Sequence, residues 1–283
     1  MPVNQRYPVN LIFFINRQAK PGRDVFKVIV MIAFYMKKTG HKLIVNKGVL
    51  TGAFCMCATT TLYVIANKLT TAANAIVLQF TAPVFLIFIM AIFFHEKPTR
   101  LDIATCVVVL AGIVCFFVDS LTSGGGLGNL LALLSGVTYA GVFMLNTFPG
   151  ADSLSSILIG QIVSGVIGIP FLLQERDFSG PVLGAVFMLG FFQLGLAYIF
   201  FSRGLEAVPP VTASLTSGLE PVLNPVWVVI FYKETISQIA LVGAVIVVGA
   251  IVCYNLKKAI NQQKQPPAAS EPLPAASAAA DKT

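Results

Sequence analysis

The residue best suited to chemistry is Glu220, which lies in the middle of a long apolar stretch, residues 208–231. An ionisable group at that depth in a membrane is costly and usually functional. Thr212, Thr216 and Asn224 recur at four-residue spacing around it, so a helix would carry all four on one face. A carboxylate in such a polar stripe can bind an ammonium group, or take up and release a proton.

The same residues can also be explained by the local structure of a helix end. Pro221 and Pro225 interrupt a helix, and Glu220 followed by Pro221 is typical of a helix N-terminus, with proline at the first helical position. The two interpretations are compatible, because helices that break at the binding site are a recurring feature of membrane transporters.

Other polar side chains inside apolar stretches are weaker candidates for binding a solute or an ion. They are Gln79, Tyr139, Gln193 and Tyr198, with Asn146, Gln161 and Ser164. For each, a hydrogen bond that joins two helices is at least as good an interpretation. Glu96 and Glu234 stand beside lysines at the ends of apolar stretches, where a cap or an interfacial ion pair is the expected role.

The sequence gives little support to an enzyme, a metal site or a cofactor. Its two histidines, His41 and His95, lie in expected loops, and neither HExxH nor GxSxG occurs. The five cysteines all lie in apolar stretches, and Cys55 and Cys57 would point away from each other on a helix. We therefore expect no catalytic residue, no metal and no cofactor.

Composition predicts an all-α polytopic membrane protein. Hydrophobic residues make up 56% of the chain and charged residues 11%, against about 25% charged in soluble proteins. Several uncharged windows reach the roughly 20 residues that a membrane-spanning helix needs. The expected spans are 47–67, 72–94, 101–119, 127–146, 152–173, 180–201, 208–231 and 236–255.

The two ends of the chain differ from these spans. Residues 1–36 contain an apolar segment with charged residues in its middle, and Pro21 favours a break, so we expect a degenerate or half-length ninth span. Residues 256–283 end in a stretch rich in proline, alanine and serine, which predicts a disordered cytoplasmic tail.

The net charge of +7 is a topology signal rather than a nucleic-acid surface, because basic residues lie in short loops and flanks. If the spans alternate, ten basic residues fall on one side and three, Lys68, Arg176 and Lys233, on the other. The sequence therefore predicts a multi-pass protein of the plasma or inner membrane with a cytoplasmic C-terminus, surrounded by lipid and without nucleic acid as a partner.

An internal repeat is visible in two hexapeptides, AIFFHE at 91–96 and VIFYKE at 229–234, which are 138 residues apart. The same offset aligns Pro83 with Pro221, Ala75 with Ala213 and Cys115 with Cys253. Glu96 falls in an expected cytoplasmic loop and Glu234 in an expected outer loop, so the two copies should be inverted in the membrane. Inverted repeats are typical of secondary transporters, whose site lies between the halves.

The offset also distinguishes residues that shape the helices in both copies from polar residues that occur in one copy. We expect a first repeat over 37–119 and a second over 127–255, with the shared prolines serving architecture. Glu220 and Asn224 align with Ala82 and Leu86, which makes these unmatched polar residues the better candidates for the solute.

The repeated pattern of alanine, mid-span proline, FFxE or FYxE and a Gly/Ala-rich span resembles the EamA family of the drug/metabolite transporter superfamily. The most specific parts are residues 66–85 and 204–225, and the resemblance covers about 47–256. It implies ten spans in two inverted halves, both termini in the cytoplasm and the export of amino acids or other small metabolites. Against that pattern, this chain has eight or nine spans.

Two functional hypotheses follow. The first is a secondary transporter that moves a small metabolite, amino-acid-like or cationic, by alternating access. The second is an inactive truncated paralogue or a membrane interaction partner without transport of its own. Assembly of two copies is open in either case.

Overall fold

The computed structural model describes residues 23–121, 125–173, 188–223 and 237–264, and the structural statements below concern these ranges. Nearly all of these residues are helical, and no strand occurs among them. The helices are α1 (Arg23–Thr39), α2 (Lys47–Leu69), α3 (Ala72–Gln79), α4 (Ala82–Phe93), α5 (Arg100–Phe117), α6 (Gly126–Phe143), α7 (Ser153–Leu173), a π-helix (Met188–Leu196) continued by α8 (Ala197–Ala207), α9 (Pro210–Ser217) and α10 (Gln238–Lys264).

These helices confirm the all-α membrane class. Five segments in the described ranges are long and apolar enough to cross a membrane: α2, α3 with α4, α5, α6 and most of α10. Many large apolar side chains face outward, such as Phe54 and Phe93 at 69% and 72% exposure. Such surfaces are uncommon on soluble monomers and are expected where lipid surrounds a protein.

Several expected boundaries move. Helix α1 starts at Arg23 and crosses the expected boundary at 36, and α10 continues to Lys264, so a tail does not start at 256. Basic residues near the C-terminal end of α10 favour this extension, because they complement the negative end of the helix dipole. Residues 1–22 and 265–283, and parts of the spans expected at 180–201 and 208–231, lie outside the described ranges.

The packing of α5 against α10 shows directly that the repeat is inverted. Residues 100–117 and 238–255 are related by the offset of 138. Near the start of α5, Asp102 accepts a hydrogen bond from Tyr254, near the end of α10 (2.6 Å). At the opposite end, Ser237 before α10 donates to Asp119 after α5 (2.6 Å). Two copies of one helix therefore run antiparallel in direct contact.

The centre of this pair is closely packed. Val109 and Val247 are equivalent by the offset, and both are fully buried in the same apolar cluster. Glycines allow the two backbones to approach: a Cβ added to Gly243 would lie 2.5 Å from the backbone nitrogen of Phe116 and 2.7 Å from the carbonyl oxygen of Gly112. A pseudo-two-fold axis thus passes between α5 and α10.

The remaining helices follow the same pseudo-symmetry. Helix α2 packs on α7 in parallel, with Gly52 against Ser156 and Gly160 against Met56. The offset relates α2 to the π-helix and α8, and α1 to part of α7. In agreement with this relation, α1 packs on the π-helix. The contact of α2 with α7 and the contact of α1 with the π-helix are therefore equivalent to each other.

One end of the bundle is tied by polar contacts between loops and helix ends. Arg203 donates two hydrogen bonds to the hydroxyl of Tyr35 (3.1 and 3.2 Å), and His41 lies 3.1 Å from the carboxylate of Asp152. Burial opposes ionisation of Asp152, but hydrogen bonds from Ser155 and His41 prevail and hold the pKa of its carboxyl below the usual value. These contacts fix the end of α8 against α1, and the loop after α1 against the start of α7.

The close approach of α5 and α10 can be tested with two glycines of α10. We expect Gly243→Ala to destabilise the protein by about 1–3 kcal/mol, because the added methyl group would meet backbone atoms that cannot turn away. Gly249→Ala is the matched control, since a Cβ there meets nothing within 4 Å. Denaturation in mixed micelles measures both; equal stability of the two variants would contradict this packing.

Candidate functional site

Two helix breaks lie at equivalent positions of the two halves. Helix α3 ends at Gln79 and α4 begins at Ala82, while α9 ends at Ser217 and helix resumes at residue 220. The breaks at 80–81 and 218–219 are related by the same offset of 138. The spans expected at 72–94 and 208–231 are thus discontinuous, and the four-residue polar stripe predicted through Glu220 does not continue across the second break.

The geometry of the second break differs in detail from the expectation. The carbonyl of Leu219 accepts a hydrogen bond from the backbone nitrogen of Leu223 (2.8 Å), so Leu219 is the N-cap and Glu220 is the first residue of the new helical turn. Thr81 has the equivalent position in the first half, and Pro83 and Pro221 follow as buried residues. A carboxylate in the first turn of a helix is stabilised by the helix dipole.

The first break is packed against α6. A Cβ added to Gly136 would lie 3.1 Å from the carbonyl oxygen of Leu78 and 3.0 Å from that of Gln79. The carbonyl of Leu78 accepts two hydrogen bonds from Thr81, one from its hydroxyl (2.6 Å) and a longer one from its backbone nitrogen (3.3 Å). The backbone of Gln79 therefore lies in the bundle interior, as part of this break.

Glu220 is exposed, although it lies midway along its span. Its carboxylate interacts electrostatically with the hydroxyl groups of Tyr63 on α2, Tyr139 on α6 and Tyr198 on α8. The carboxylate is thus near side chains of three other helices and is exposed at the same time.

An uncharged polar side chain lies near the hydroxyl group of each of the three tyrosines. These neighbours are Asn67 for Tyr63, Ser217 for Tyr139 and Gln161 for Tyr198. The ring of Tyr139 also packs on two phenylalanines, Phe80 at the first break (6.1 Å between centroids) and Phe143 (4.7 Å). The ring of Tyr139 is thus held by aromatic contacts with the first break and with its own helix.

The structure brings some of the predicted residues together and separates others. Tyr139 and Tyr198 converge on Glu220, whereas the hydroxyl of Thr216 accepts a hydrogen bond from Asn255 of α10 (3.4 Å) and is directed to that helix. Gln193 belongs to the π-helix. Asn224 and Pro225 lie outside the described ranges.

Sequence reasoning missed Tyr63, Asn67 and Ser217. Tyr63 and Asn67 are four residues apart on α2, and Asn67 also donates a hydrogen bond to the carbonyl of Tyr63 (3.0 Å). That spacing was a usable signal. Ser217 carried none, because its place beside Tyr139 depends on the break that follows it.

A second polar network closes one end of α9. Lys258 on α10 donates a hydrogen bond to Thr212 (2.7 Å) and lies 3.6 Å from the carboxylate of Asp102, which also accepts from Tyr254. Asp102 and Thr99 form a capping box that starts α5. The network joins α5, α9 and α10 on the side of the Glu220 break where α9 begins.

No group of three or more potential metal ligands occurs in the described part of the chain.

Inverted halves, paired helix breaks and an interior carboxylate are the features of a polytopic membrane transporter. The model of the EamA-like transporter family matches residues 23–118 and 126–256, so the chain belongs to that family. The ends of the two matched ranges are again 138 residues apart, which supports the duplication.

Individual relatives agree with this class. The chain is 26% identical over 245 residues to an uncharacterized transporter of Clostridium kluyveri, covering 81% of this chain and 78% of that protein. It is 23% identical over 254 residues to the pseudopaline exporter CntI of Pseudomonas aeruginosa, covering 88% and 86%. It is 31% identical over 102 residues to the quaternary ammonium compound-resistance protein QacC of Staphylococcus aureus, covering 35% of this chain and 91% of QacC.

A solved crystal structure shares the fold. It matches with a TM-score of 0.72 at 18% sequence identity, and the match covers 88% of this chain and 93% of the other.

The network at the start of α9 gives a stability prediction. We expect Asp102→Asn to lower the free energy of unfolding by about 3 kcal/mol, because it leaves the charge of Lys258 without its counter-ion and weakens the capping box. Lys257→Ala, at the exposed neighbouring position, should change it by no more than about 0.5 kcal/mol. An Asp102→Asn protein as stable as the parent would show that the network contributes nothing.

Proposed function

We propose that the chain is a secondary transporter that exports a small metabolite by alternating access between its two halves. The halves are residues 23–118 and 126–256, and Glu220 is the charged centre of the site between them. The observation that carries the proposal is an accessible carboxylate in mid-span, beside a helix break and within reach of tyrosines from three other helices. A proton or sodium gradient is the energy source that such a site can use.

The relatives support export as the direction. One is named as an exporter of pseudopaline, and another as a resistance protein against quaternary ammonium compounds. The sequence has no P-loop for nucleotide binding, which favours gradient-driven transport over ATP hydrolysis by this chain.

We place the C-terminus in the cytoplasm of cells whose plasma or inner membrane contains the protein. The support is the distribution of basic residues together with the contacts that gather their segments at one end. The ion pair of Lys258 with Asp102 joins the C-terminal flank to the start of α5, and Thr212 links both to the start of α9. Positive charge is enriched on the cytoplasmic side of membrane proteins.

The role of Glu220 can be tested by transport. Everted membrane vesicles are loaded with a proton gradient in one series and a sodium gradient in another, and internal pH or internal sodium is followed while amino acids, amines and quaternary ammonium compounds are added one at a time. We expect at least one solute to dissipate the gradient in the parent, and Glu220→Gln to lower that rate by about a hundredfold or more, because the neutral amide can neither bind a cation nor exchange a proton.

Glu96→Gln is the matched control, since Glu96 is an exposed carboxylate at the end of a span. It should transport at the parent rate. No response to any solute in the parent, or equal rates in Glu220→Gln and the parent, would contradict the proposal.

A further inference from the structure

We propose that α9 is the cytoplasmic gate of the site, and that Thr212 and Ser214 set, in opposite directions, how readily this gate opens. Thr212 binds α9 to α10 through hydrogen bonds, whereas Ser214 has a buried hydroxyl group that the closed gate leaves without a partner. The inference rests on the proposed function and assigns the moving part of the same site. We call the contact of Thr212 with Lys258 and Tyr254 of α10 the latch.

The hydroxyl group of Thr212 serves the latch both as an acceptor and as a donor. It accepts a hydrogen bond from Lys258 (2.7 Å), and it lies 3.3 Å from the hydroxyl of Tyr254. Tyr254 donates its own proton to Asp102 (2.6 Å), so Thr212 is the donor in its pair with Tyr254. Loss of this one hydroxyl group therefore removes both hydrogen bonds of the latch.

Opening the latch leaves the charged groups paired. Asp102 on α5 lies 3.6 Å from Lys258, and it also accepts the hydrogen bond of Tyr254. These three residues belong to the packed pair of α5 and α10, so a movement of α9 breaks the hydrogen bonds of a hydroxyl group and separates no ion pair. Water can replace such hydrogen bonds at little net cost, and the side chain of Lys258 is already 27% exposed. The latch is thus suited to repeated opening.

Helix α9 is short and has a non-helical joint at each end. It begins at Pro210, after Val208 in extended conformation, and it ends at Ser217, before the break at 218–219. Hinge motions are absorbed by a few residues at the ends of such elements. The eight residues of α9 can therefore move as one unit, and they lead directly from the latch to Glu220.

The equivalent end of the first half is closed by different contacts. The offset of 138 places Asn74 and Phe116 where the second half has Thr212 and Tyr254. Asn74 donates a hydrogen bond to Asn129 of α6 (3.3 Å), and Phe116 packs in an apolar cluster with residues of α3 and α10. The repeat therefore does not require a latch at this position, which supports a functional role for it.

Ser214 opposes the latch from the same helix. Its side chain is fully buried, and its Oγ has no hydrogen-bond partner in the part of the chain that the structure describes. A buried hydroxyl group without a partner destabilises the state that buries it. Because a movement of α9 gives this hydroxyl group access to water, Ser214 favours the open gate.

The thiol of Cys106 reports the position of α9. Cys106 is 4% exposed on α5, one turn after Asp102, and it packs in one cluster with Leu215 of α9 and Tyr254. When α9 leaves α10, this thiol becomes reachable from the cytoplasmic side. The other four cysteines are replaced by serine or alanine, and the rate of labelling by a charged maleimide is measured in everted vesicles, which expose that side.

We expect Thr212→Val to raise the labelling rate of Cys106 about fivefold or more, because it keeps the side-chain shape and removes both hydrogen bonds. Ser214→Ala should lower the rate about threefold, because it removes the unpartnered hydroxyl group from the closed state. Thr212→Ser, which keeps the hydroxyl group, should stay within about twofold of the parent. Thr51→Val is the control, since Thr51 is exposed and donates to a carbonyl of its own helix; it should label at the parent rate.

Two results would overturn the inference. One is an equal labelling rate in Thr212→Val and the parent. The other is a rate in Ser214→Ala that equals or exceeds the parent rate, because a loosened core rather than a latch would then explain any increase in Thr212→Val.

The labelling needs no solute, so its failure is distinguishable from failure of the proposed function. If Thr212→Val labels as the parent does while Glu220→Gln abolishes transport, the transporter proposal stands and the gate falls. If the labelling rates change as expected while the parent moves no solute, the transporter proposal falls and the latch stands as a moving contact.

Discussion

The close antiparallel crossing of α5 and α10 is the contact on which the rest of the architecture depends. Between helices in a membrane there is little hydrophobic driving force, so association relies on close van der Waals packing and interhelical hydrogen bonds. Gly112 and Gly243 supply the first at the centre, and Asp102 with Tyr254 supplies the second at one end. Because the two helices are copies of each other, their crossing sets the axis about which both halves are arranged.

The two halves share their helix arrangement but differ in the residues at the helix break. Both halves break the equivalent span at the same position, before Pro83 in one half and before Pro221 in the other, which makes the break a property of the repeat. The residue types at the break are not repeated, since Glu220 stands where the first half has Ala82. In the proposed mechanism, the two inverted halves exchange conformations across the membrane while Glu220 serves the site in both states.

The sequence allowed the membrane class, the repeat and its inversion to be predicted, because these depend on composition, on a constant offset and on where basic residues lie. Glu220 could also be found, since a carboxylate amid apolar residues is conspicuous. The helix breaks were harder: Pro83 and Pro221 indicated them, but a proline alone does not fix where hydrogen bonds stop. The stripe through Thr216 failed for this reason, because the turn at 218–219 ends the regular spacing.

Contacts between side chains of distant helices could not be predicted from a single sequence. Tyr63 and Ser217 became part of the site through the crossing of α2, α6 and α9, and no local pattern encodes that crossing. The length of α10 was underestimated because lysines near its end resemble a loop, although they complement the helix dipole and one of them reaches Asp102.

The inverted arrangement of the halves is the central claim, and the sidedness of two equivalent residues tests it most directly. Glu96 and Glu234 are each replaced by cysteine in a background in which the five native cysteines are serine or alanine. Intact cells are then treated with a membrane-impermeant maleimide, before and after permeabilisation. Inverted halves predict labelling of position 234 in intact cells and of position 96 only after permeabilisation. Labelling of both positions from the same side would contradict the account.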